Sequence, residues 1–537
     1  MIDTGTLNFL WSQAMVAGFV AAGATHAVIS PGSRSTPLAL AMLRQSGLHC
    51  DVAVDERSGA FFALGIAKAS QRPVLLLATS GTAPANWLPA VIEASQADVP
   101  LILISADRPP ELQCCGANQT INQLGLFGSH VRASHALGTP EAGFEPSYLH
   151  RLAARAFEQS VWPHPGPVHL NQPFREPLVP VGEVRSADQP QPIRIAQPEL
   201  RANPSLIREL SEAISARPGI IVCGEMKPED GFADALTLLA ARLGFPIFAE
   251  PLSNLRFGSH DRSQLYVRYN HWLGNPAFTE THRPEWVLRF GTYPVTRRLQ
   301  AYVATATTTH ALVEPSPLWT DPSHRLTHLL RADPLSVCLE LLAVSPAPIP
   351  GNWLAPFAAE EKAAQSDSTG GHIKVLIDEL PADGSLFVGN SLAIRQLDTH
   401  SGSSDKPLHI YGNRGASGID GNISTALGIA AIDGQVVALL GDLTCQHDLG
   451  GLALAAGRNA VIVAVNNHGG GIFDTLPQAG LPEFEQAWRT PQQISFEHAA
   501  LTFGLGYAKA ENNDEFRAAL RHALDKGGPQ LIELLLP

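Results

Sequence analysis

The chain has 537 residues, of which 45% are hydrophobic and 16% charged, and its formal net charge is −13. Such a length suggests three domains or more. An acidic chain of this kind argues against nucleic-acid binding, which depends on clustered lysine and arginine. We expect no membrane span and no signal peptide, because no apolar run is long enough and the first residues are not basic. Six cysteines without a C-x-x-C pair indicate reduced thiols in a cytoplasmic protein.

Two proline-rich stretches, 173–204 and 345–356, divide the chain into predicted domains 1–185, 186–345 and 346–537. Short apolar runs alternate with helical stretches in each part, which predicts α/β domains with doubly wound parallel sheets. The predicted strands are 26–30, 51–54, 74–78 and 101–105 in the first part, 219–223, 286–290 and 310–313 in the second, and 386–388, 436–440, 461–465 and 531–535 in the third.

In the first part, two strand-to-helix junctions carry polar residues. Asp55-Glu56 follows a predicted strand and opens a helix rich in alanine and glycine, where either carboxylate could simply cap the helix. Residues 79–86, which contain Gly81, follow the next strand and could be an ordinary turn. Neither junction identifies a chemistry without further evidence.

In the third part, two neighbouring strands end in oxygen-bearing side chains. Gly441-Asp442-Leu443 ends one strand, and Asn467 follows the next, 25 positions after Asp442. The stretch 448–457 between them is long enough for a crossover helix, so both side chains should point into one crevice at the carboxyl edge of a parallel sheet. A carboxylate and an amide suit Mg²⁺, which takes its other ligands from phosphate and water. Turn chemistry alone also favours such residues, but the two motifs together predict a diphosphate–metal site.

This pattern resembles the signature of the enzymes that use thiamin diphosphate (ThDP) on 2-oxoacids. Leu443 departs from it, because the commonest form has glycine there, and the spacer is slightly short. The resemblance implies three domains, which bind the cofactor's pyrimidine (1–185), form a central α/β unit (186–345) and bind its diphosphate (346–537). It also implies that Asp442, Asn467 and the carbonyl of Gly469 bind Mg²⁺ or Mn²⁺, and that Glu56 is the catalytic carboxyl, in a site dry enough for proton exchange with the pyrimidine. The implied cofactor-binding residues are Glu56, Ser391, Ile419, Gly441, Asp442, Leu443, Asn467, Gly469, Ile472 and Phe473.

A closer resemblance rests on the segments 30–35, 105–112, 117–119 and 414–421. They are similar to those of the 2-succinyl-5-enolpyruvyl-6-hydroxy-3-cyclohexene-1-carboxylate synthase family of menaquinone biosynthesis, over essentially the whole chain. The implied substrates, 2-oxoglutarate and isochorismate, carry four carboxylates, which suits the bidentate fork of arginine. The implied substrate-binding residues are Ser33, Arg34, Arg108, Asn118, Gln119, Arg297, Arg298, Arg395 and Arg414. Arg297 stands where the family tends to have lysine.

The resemblance implies a transferase that decarboxylates 2-oxoglutarate and adds the succinyl carbanion equivalent to isochorismate in a 1,4 sense. It also implies a homodimer or homotetramer, because the family's carboxyl and metal motifs come from different subunits. Two alternatives stay open. One is another ThDP enzyme, such as a 2-oxoacid decarboxylase or acetolactate synthase, and the other is a homologue that binds the cofactor without catalysis.

Overall fold

The computed structural model describes residues 2–182, 190–227, 229–364 and 370–536, and its strands form three six-stranded sheets in which all neighbours are parallel. The first sheet contains β1 (His26–Ile29), β2 (His49–Val52), β3 (Val74–Ala78), β4 (Leu101–Asp107), β5 (Ala133–Ala136) and β6 (Pro167–Pro173). The second contains β7 (Gly219–Cys223), β8 (Ile247–Ala249), β9 (Leu265–Tyr266), β10 (Trp286–Phe290), β11 (Thr309–Val313) and β12 (His328–Leu330). The third contains β13 (Gly384–Val388), β14 (Leu408–Gly412), β15 (Val436–Gly441), β16 (Ala460–Asn466), β17 (Gly506–Ala510) and β18 (Pro529–Leu535).

Helices connect these strands throughout. The first domain has α1 (Thr4–Ala22), α2 (Thr36–Arg44), α3 (Glu56–Ser70), α4 (Leu88–Gln96) and α5 (Pro146–Val161). The middle of the chain has α6 (Pro204–Ile214), α7 (Phe232–Leu243), α8 (Tyr269–Trp272), α9 (Pro276–Thr281), α10 (Arg297–Val303) and α11 (Pro334–Val344). After these come α12 (Leu354–Ala364), α13 (Gly371–Glu379), α14 (Leu392–His400), α15 (Asn422–Asp433), α16 (Asp442–His447), α17 (Phe496–Phe503) and α18 (Asn513–Lys526). Within the described ranges, no helix has the length and apolar character needed to cross a membrane.

The predicted α/β class with parallel sheets is confirmed, and every predicted strand is present. The strand predicted at 51–54 is shifted, since β2 is His49–Val52. The connection between β15 and β16 is not the single crossover helix expected at 448–457, because α16 is followed by a 3-10 helix at Leu449–Ala455. Glycines at 450 and 451 disfavour a continuous α-helix there.

The predicted boundary at 185/186 lies outside the described residues. The boundary at 345/346 falls between α11 and α12. Helix α12 still packs on the middle sheet, since its Phe357 is buried against Phe248 and Tyr266. We therefore propose that the middle domain extends through α12, and the other domain limits remain proposals.

The order of the strands defines where ligands can bind. The first sheet has the order β2-β1-β3-β4-β6-β5 and the third has β14-β13-β15-β16-β18-β17. In each, the connections leave in opposite directions from the first and third strands of the domain, which opens a crevice at their carboxyl ends. The predicted motifs that follow β1, β3, β13 and β15 therefore lie at these two crevices.

Helices α3 and α15 join the first and third domains into one core. They cross so closely that a Cβ on Gly65 would lie 2.0 Å from the carbonyl oxygen of Thr425, and a Cβ on Gly428 would lie 2.0 Å from that of Phe62. Only glycine permits this approach. The crossing fixes the two crevices relative to each other within the chain.

Candidate active site

The carboxyl ends of β15 and β16 meet as expected. The two strands are paired in parallel from Val436–Ala460 to Gly441–Val465. Asp442 begins α16, and its two carboxylate oxygens accept hydrogen bonds of 2.7 Å from the backbone N–H groups of Leu443 and Gly469. The bond to Gly469 spans from the end of one strand to the loop after the next, so a single crevice contains both motifs.

Asp442 is buried, with 6% of its surface exposed. Burial raises the pKa of its carboxyl above the ordinary value, and the hydrogen bonds from Gly469 and Leu443 oppose this rise. A buried carboxylate is costly unless a cation or hydrogen bonds compensate it. Asp442 is therefore suited to bind a cation.

The glycine-rich loop that follows Asn467 is shaped for close approach. Gly469 has a φ of 115°, and a Cβ there would lie 2.1 Å from the carbonyl oxygen of Arg489. A Cβ on Gly471 would lie 2.3 Å from Nδ2 of Asn467. The loop therefore packs tightly against Arg489 and the Asn467 side chain, next to the Gly469 N–H that binds Asp442.

The donor set fits Mg²⁺ or Mn²⁺ bound together with a diphosphate. It offers one carboxylate, the amide of Asn467 and the carbonyl of Gly469, which are hard oxygen donors in the small number that Mg²⁺ takes from protein. Within the described ranges, no cluster of three or more His, Cys, Asp or Glu side chains could hold a metal ion. A metal bound here would therefore need ligand oxygens from the cofactor and water.

Arg489 contacts this loop from a distant part of the chain, and the sequence did not reveal it. It ends a short π-helix, Glu485–Arg489, a distortion that often marks functional sites. Its guanidinium donates to the carbonyl of Asn467 and pairs with Asp474 at 2.6 Å, and its own carbonyl accepts from Gly470 at 2.7 Å. No sequence motif identifies such a residue, because it lies 22 positions from the asparagine that it contacts.

The predicted apolar contacts lie around this crevice. Ile472 and Phe473 belong to a partly exposed 3-10 helix, Gly471–Thr475, which begins at the glycine loop. Ile419 lies on the turn between β14 and α15, with 37% of its surface exposed. Ser391 precedes α14 with a φ of 66°, a strained conformation for a residue other than glycine. Whether these residues touch a cofactor remains a prediction.

Glu56 is the first residue of α3, and its neighbour Asp55 performs the capping. The Asp55 carboxylate accepts from the N–H groups of Arg57 and Ser58 at 2.9 and 3.3 Å. The capping alternative therefore applies to Asp55, which leaves the Glu56 carboxyl available for another role.

The predicted substrate-binding residues of the first domain gather at the first crevice, around Ser80. Arg108 donates to the Ser80 hydroxyl, and Gln119 donates to the Ser80 carbonyl at 3.0 Å. Arg34 donates to the carbonyl of Phe174 at 3.0 Å and pairs with Glu176 at 2.8 Å. Burial first, and then the charge of Arg34, lowers the pKa of Arg108, so these two guanidinium groups lie near each other. Ser33 directly precedes Arg34 in sequence, and Asn118 is exposed beside Gln119.

A second group of cations lies at the other crevice. Arg414 donates to Oδ1 of Asn390 at 2.6 Å, and Arg395 donates to the carbonyl of Ser391 at 2.7 Å. Burial, followed by the charges of Arg414 and Arg297, lowers the pKa of Arg395, so the three cations are close enough for their charges to interact. Arg298 instead donates to the carbonyl of Asn270.

Three glutamates near these arginines were not predicted. Glu93 accepts hydrogen bonds from Gly415 and Ala416, Glu225 lies near Lys68, and Glu250 accepts from Val295 at 2.6 Å. Burial raises the pKa of Glu250 to about 8, and the charge of Asp398 adds to the effect. Buried carboxylates on α4 or before a 3-10 helix have no local sequence signal, because burial depends on the other domains.

The three domains match models of thiamine pyrophosphate enzymes. The N-terminal TPP binding domain matches residues 11–126, the middle domain of thiamine pyrophosphate matches 189–381, and the C-terminal TPP binding domain matches 396–534. A crystal structure of benzoylformate decarboxylase from Polynucleobacter necessarius superposes with a TM-score of 0.71, at 17% identity and with 98% of each chain covered. At that identity the match demonstrates the fold only. The fold and the site define a ThDP enzyme.

The full-length relatives are more specific. A 2-succinyl-5-enolpyruvyl-6-hydroxy-3-cyclohexene-1-carboxylate synthase of Dechloromonas aromatica is 66% identical over 99% of both chains. Synthases of the same name from Geobacillus thermodenitrificans and Haloarcula marismortui are 41% and 38% identical, over 97% and 98% of this chain and 92% and 95% of theirs. The chain therefore belongs to the 2-succinyl-5-enolpyruvyl-6-hydroxy-3-cyclohexene-1-carboxylate synthase family, which confirms the predicted resemblance.

Proposed function

We propose that the protein is a ThDP-dependent transferase of menaquinone biosynthesis that joins decarboxylated 2-oxoglutarate to isochorismate. Its family supports this assignment. The observation that carries it is the group of Arg395, Arg414 and Arg297, whose charges interact, with Arg414 bound to Asn390 just after β13. Multiply charged acids require several fixed cations, whereas substrates with a single carboxylate do not.

We propose that Asp442, Asn467 and the carbonyl of Gly469 hold Mg²⁺ or Mn²⁺, and with it the cofactor's diphosphate. When bound, ThDP supplies the carbon nucleophile and electron sink for decarboxylation and carbon–carbon bond formation. The Glu56 carboxyl would hold the proton that it exchanges with the bound pyrimidine. The side chains of Ile419, Ile472 and Phe473 would line the cofactor and exclude water, while Gly441 and Leu443 give the turn its shape.

The arginines have a different role. Arg34 and Arg108, with Ser33, Asn118 and Gln119, bind carboxylates from the side of the first domain. Arg395 and Arg414, with Arg297 and Arg298, bind them from the third and middle domains. Fixed cations on both sides would orient the two acids for reaction.

We further propose a homodimer or homotetramer in which the first domain of one subunit completes the third domain of another. Two exposed apolar side chains support this proposal. Val52 and Val54, directly before Asp55-Glu56, are 56% and 84% exposed in the single chain. A second subunit would cover them and exclude water from the catalytic carboxyl.

The test is product analysis by mass spectrometry with 2-oxoglutarate, ThDP and Mg²⁺, with isochorismate added or withheld. We expect a succinyl–cyclohexene adduct only when isochorismate is present. Equal release of CO₂ and succinic semialdehyde in both cases would instead make the protein a 2-oxoacid decarboxylase. No CO₂ in either case would indicate a homologue that binds the cofactor without catalysis.

A further inference from the structure

A buried carboxylate of the first domain binds the backbone of the third-domain turn that carries Arg414. Glu93, on α4, is 3% exposed. Its two oxygens accept hydrogen bonds from the N–H groups of Gly415 at 2.9 Å and Ala416 at 2.6 Å. The turn approaches so closely that a Cβ on Gly415 would lie 2.5 Å from the Glu93 carbonyl oxygen. Two bonds from successive N–H groups to one carboxylate are strong and directional.

A lysine from α3 binds the same turn on its other side. Lys68 is 8% exposed and donates to the carbonyl of Gly412 at 2.6 Å. Its Nζ lies 3.8 Å from Oε1 of Glu93 and 4.0 Å from Oε1 of Glu225, which belongs to the middle domain. Groups from all three domains therefore meet at the start of the turn. Loss of either Lys68 or Glu93 would deprive the other of a buried partner of opposite charge.

Arg414 depends on this turn for its position. One terminal nitrogen donates to Asn390, whose own amide donates to the carbonyls of Asn413 and Gly418 at 2.8 and 2.7 Å. Its Nε is buried and has no hydrogen-bond partner in the described structure. The backbone on either side of Arg414 is thus held by Lys68 and Glu93, while the side chain is held at one end. A small shift of such a turn would misplace the guanidinium, and catalytic sites tolerate little misplacement.

We propose that Glu93, together with Lys68, is a positioning residue for Arg414. The pair, which we name the interdomain clamp, fixes the turn 412–418 from the first domain. The affinity for the acidic substrates then depends on a carboxylate that does not touch them. This inference rests on the proposed function for the identity of those substrates, whereas the clamp itself does not.

The decisive comparison is between Glu93→Gln and Asp51→Asn. Glutamine keeps the size of the side chain but removes the negative charge. Its amide NH₂ cannot accept a hydrogen bond, so one of the two backbone N–H donors loses its partner. Asp51 also joins the first and third domains, through a 2.5 Å ion pair with Arg458, but it does not contact the turn. Asp51→Asn therefore controls for a general weakening of the domain interface.

For Glu93→Gln we expect KM for 2-oxoglutarate or isochorismate to rise about tenfold or more, a smaller fall in kcat, and unchanged binding of ThDP with Mg²⁺. Hydrogen exchange of peptides that cover 412–418 should become faster in Glu93→Gln and stay unchanged in Asp51→Asn. An unchanged KM, or an equal rise in both variants, would overturn the proposal.

The exchange experiment separates this inference from the proposed function. If the wild-type protein makes no adduct, the clamp still predicts slow exchange at Gly415 and Ala416 and its loss in Glu93→Gln. If Glu93→Gln does not fold, the exchange rates of Gly415 and Ala416 in the wild-type protein alone test the clamp. Rapid exchange at both of these amides in the folded wild-type protein would exclude the clamp.

Discussion

The first and third domains have the same architecture but different chemical groups. When the strands of each are numbered within the domain, both sheets have the order second, first, third, fourth, sixth, fifth. In both, the helix after the second strand packs against its counterpart, so that α3 crosses α15 at Gly65 and Gly428. The two domains are thus equivalent in topology and related by a nearly reciprocal contact.

The residues at the strand ends distinguish them. After the third strand, the first domain has Thr79-Ser80 and the third has Asp442. After the fourth, the first has Arg108, one residue beyond β4, and the third has Asn467. A serine and an arginine suit a carboxylate ligand, whereas a carboxylate and an amide suit a metal ion. One fold therefore presents two different sets of chemical groups at equivalent strand ends, and the two proposed roles differ through the side chains rather than the scaffold.

The largest expected effect is at Glu56, the catalytic group proposed for the first domain. Glu56→Gln should reduce turnover by about a thousandfold or more, because an amide does not exchange a proton as a carboxyl does. Steady-state CO₂ release measures the loss, and thermal melting should show an intact fold. Asp55→Asn is the matched control, since asparagine also caps helices well. Undiminished activity of Glu56→Gln would refute its role.

The second prediction combines a defect in each domain. Glu56→Gln and Asp442→Asn should each be inactive alone, but their co-expressed mixture should regain activity. If each site joins the first domain of one subunit to the third of another, a mixed dimer has one intact site and one doubly damaged site. In a random mixture half of the dimers are mixed, and one of the two sites in each mixed dimer is intact. Activity should therefore recover to roughly a quarter of the wild-type value. No recovery, with mixed dimers verified by differential tags, would place the complete site within one chain.

The third prediction concerns pH. Because burial raises the pKa of Asp442, a proton competes with the metal at a higher pH than it would at an exposed aspartate. Affinity for Mg²⁺ with ThDP should therefore fall as the pH decreases through this raised pKa, by up to about tenfold per unit below it. The sign for stability is opposite. In the unloaded protein the folded state binds this proton more tightly than the unfolded state does. Protonation of Asp442 therefore stabilises the fold below the unfolded pKa, and this contribution to the free energy of unfolding is lost as the pH rises through the folded pKa.

Calorimetric titration with ThDP and Mg²⁺ across a pH series measures this competition. Asp474→Asn is the control, because Asp474 lies in the same loop, pairs with Arg489 and is about half exposed. It should leave the midpoint of the pH curve nearly unchanged. A midpoint no higher than the ordinary aspartate value of about 3.9 would contradict the prediction.

The sequence predicted the strands with strong apolar runs and the polar residues at their ends. It missed β8, β9 and β12, which have two or three residues and show no periodicity. It also missed β5, β14 and β17, which have four or five residues each, and β6, whose seven residues are all buried although several are polar. His169 and Asn171 are tolerated there because they share hydrogen bonds with the Ser105 hydroxyl, at 2.7 and 2.8 Å. Only the neighbouring strand supplies these partners.

The candidate site residues also divide into those with a local sequence signal and those without one. Asp442, Asn467 and Glu56 are recognisable because each follows a strand in a local motif. Glu93 and Arg489 have no such motif, since each acts on backbone that is distant in sequence, 322 positions away for Glu93 and Gly415. Local motifs therefore identify the groups proposed to carry the chemistry, whereas tertiary structure is needed to identify residues that bind distant backbone.

The smallest expected effect tests the equivalence itself. Gly65→Ala and Gly428→Ala should each lower the free energy of unfolding by about 1–3 kcal/mol, because the added methyl group separates the crossing helices. For a net loss, the cost of separating the two helices must exceed the roughly 1 kcal/mol by which alanine favours a helix over glycine. Denaturant unfolding measures both variants, and Gly138→Ala is the control, since its Cβ would meet no atom within 4 Å. If the crossing is reciprocal, the two losses should be similar. A loss confined to one glycine would show that the domains share a topology but do not contribute equally to their contact.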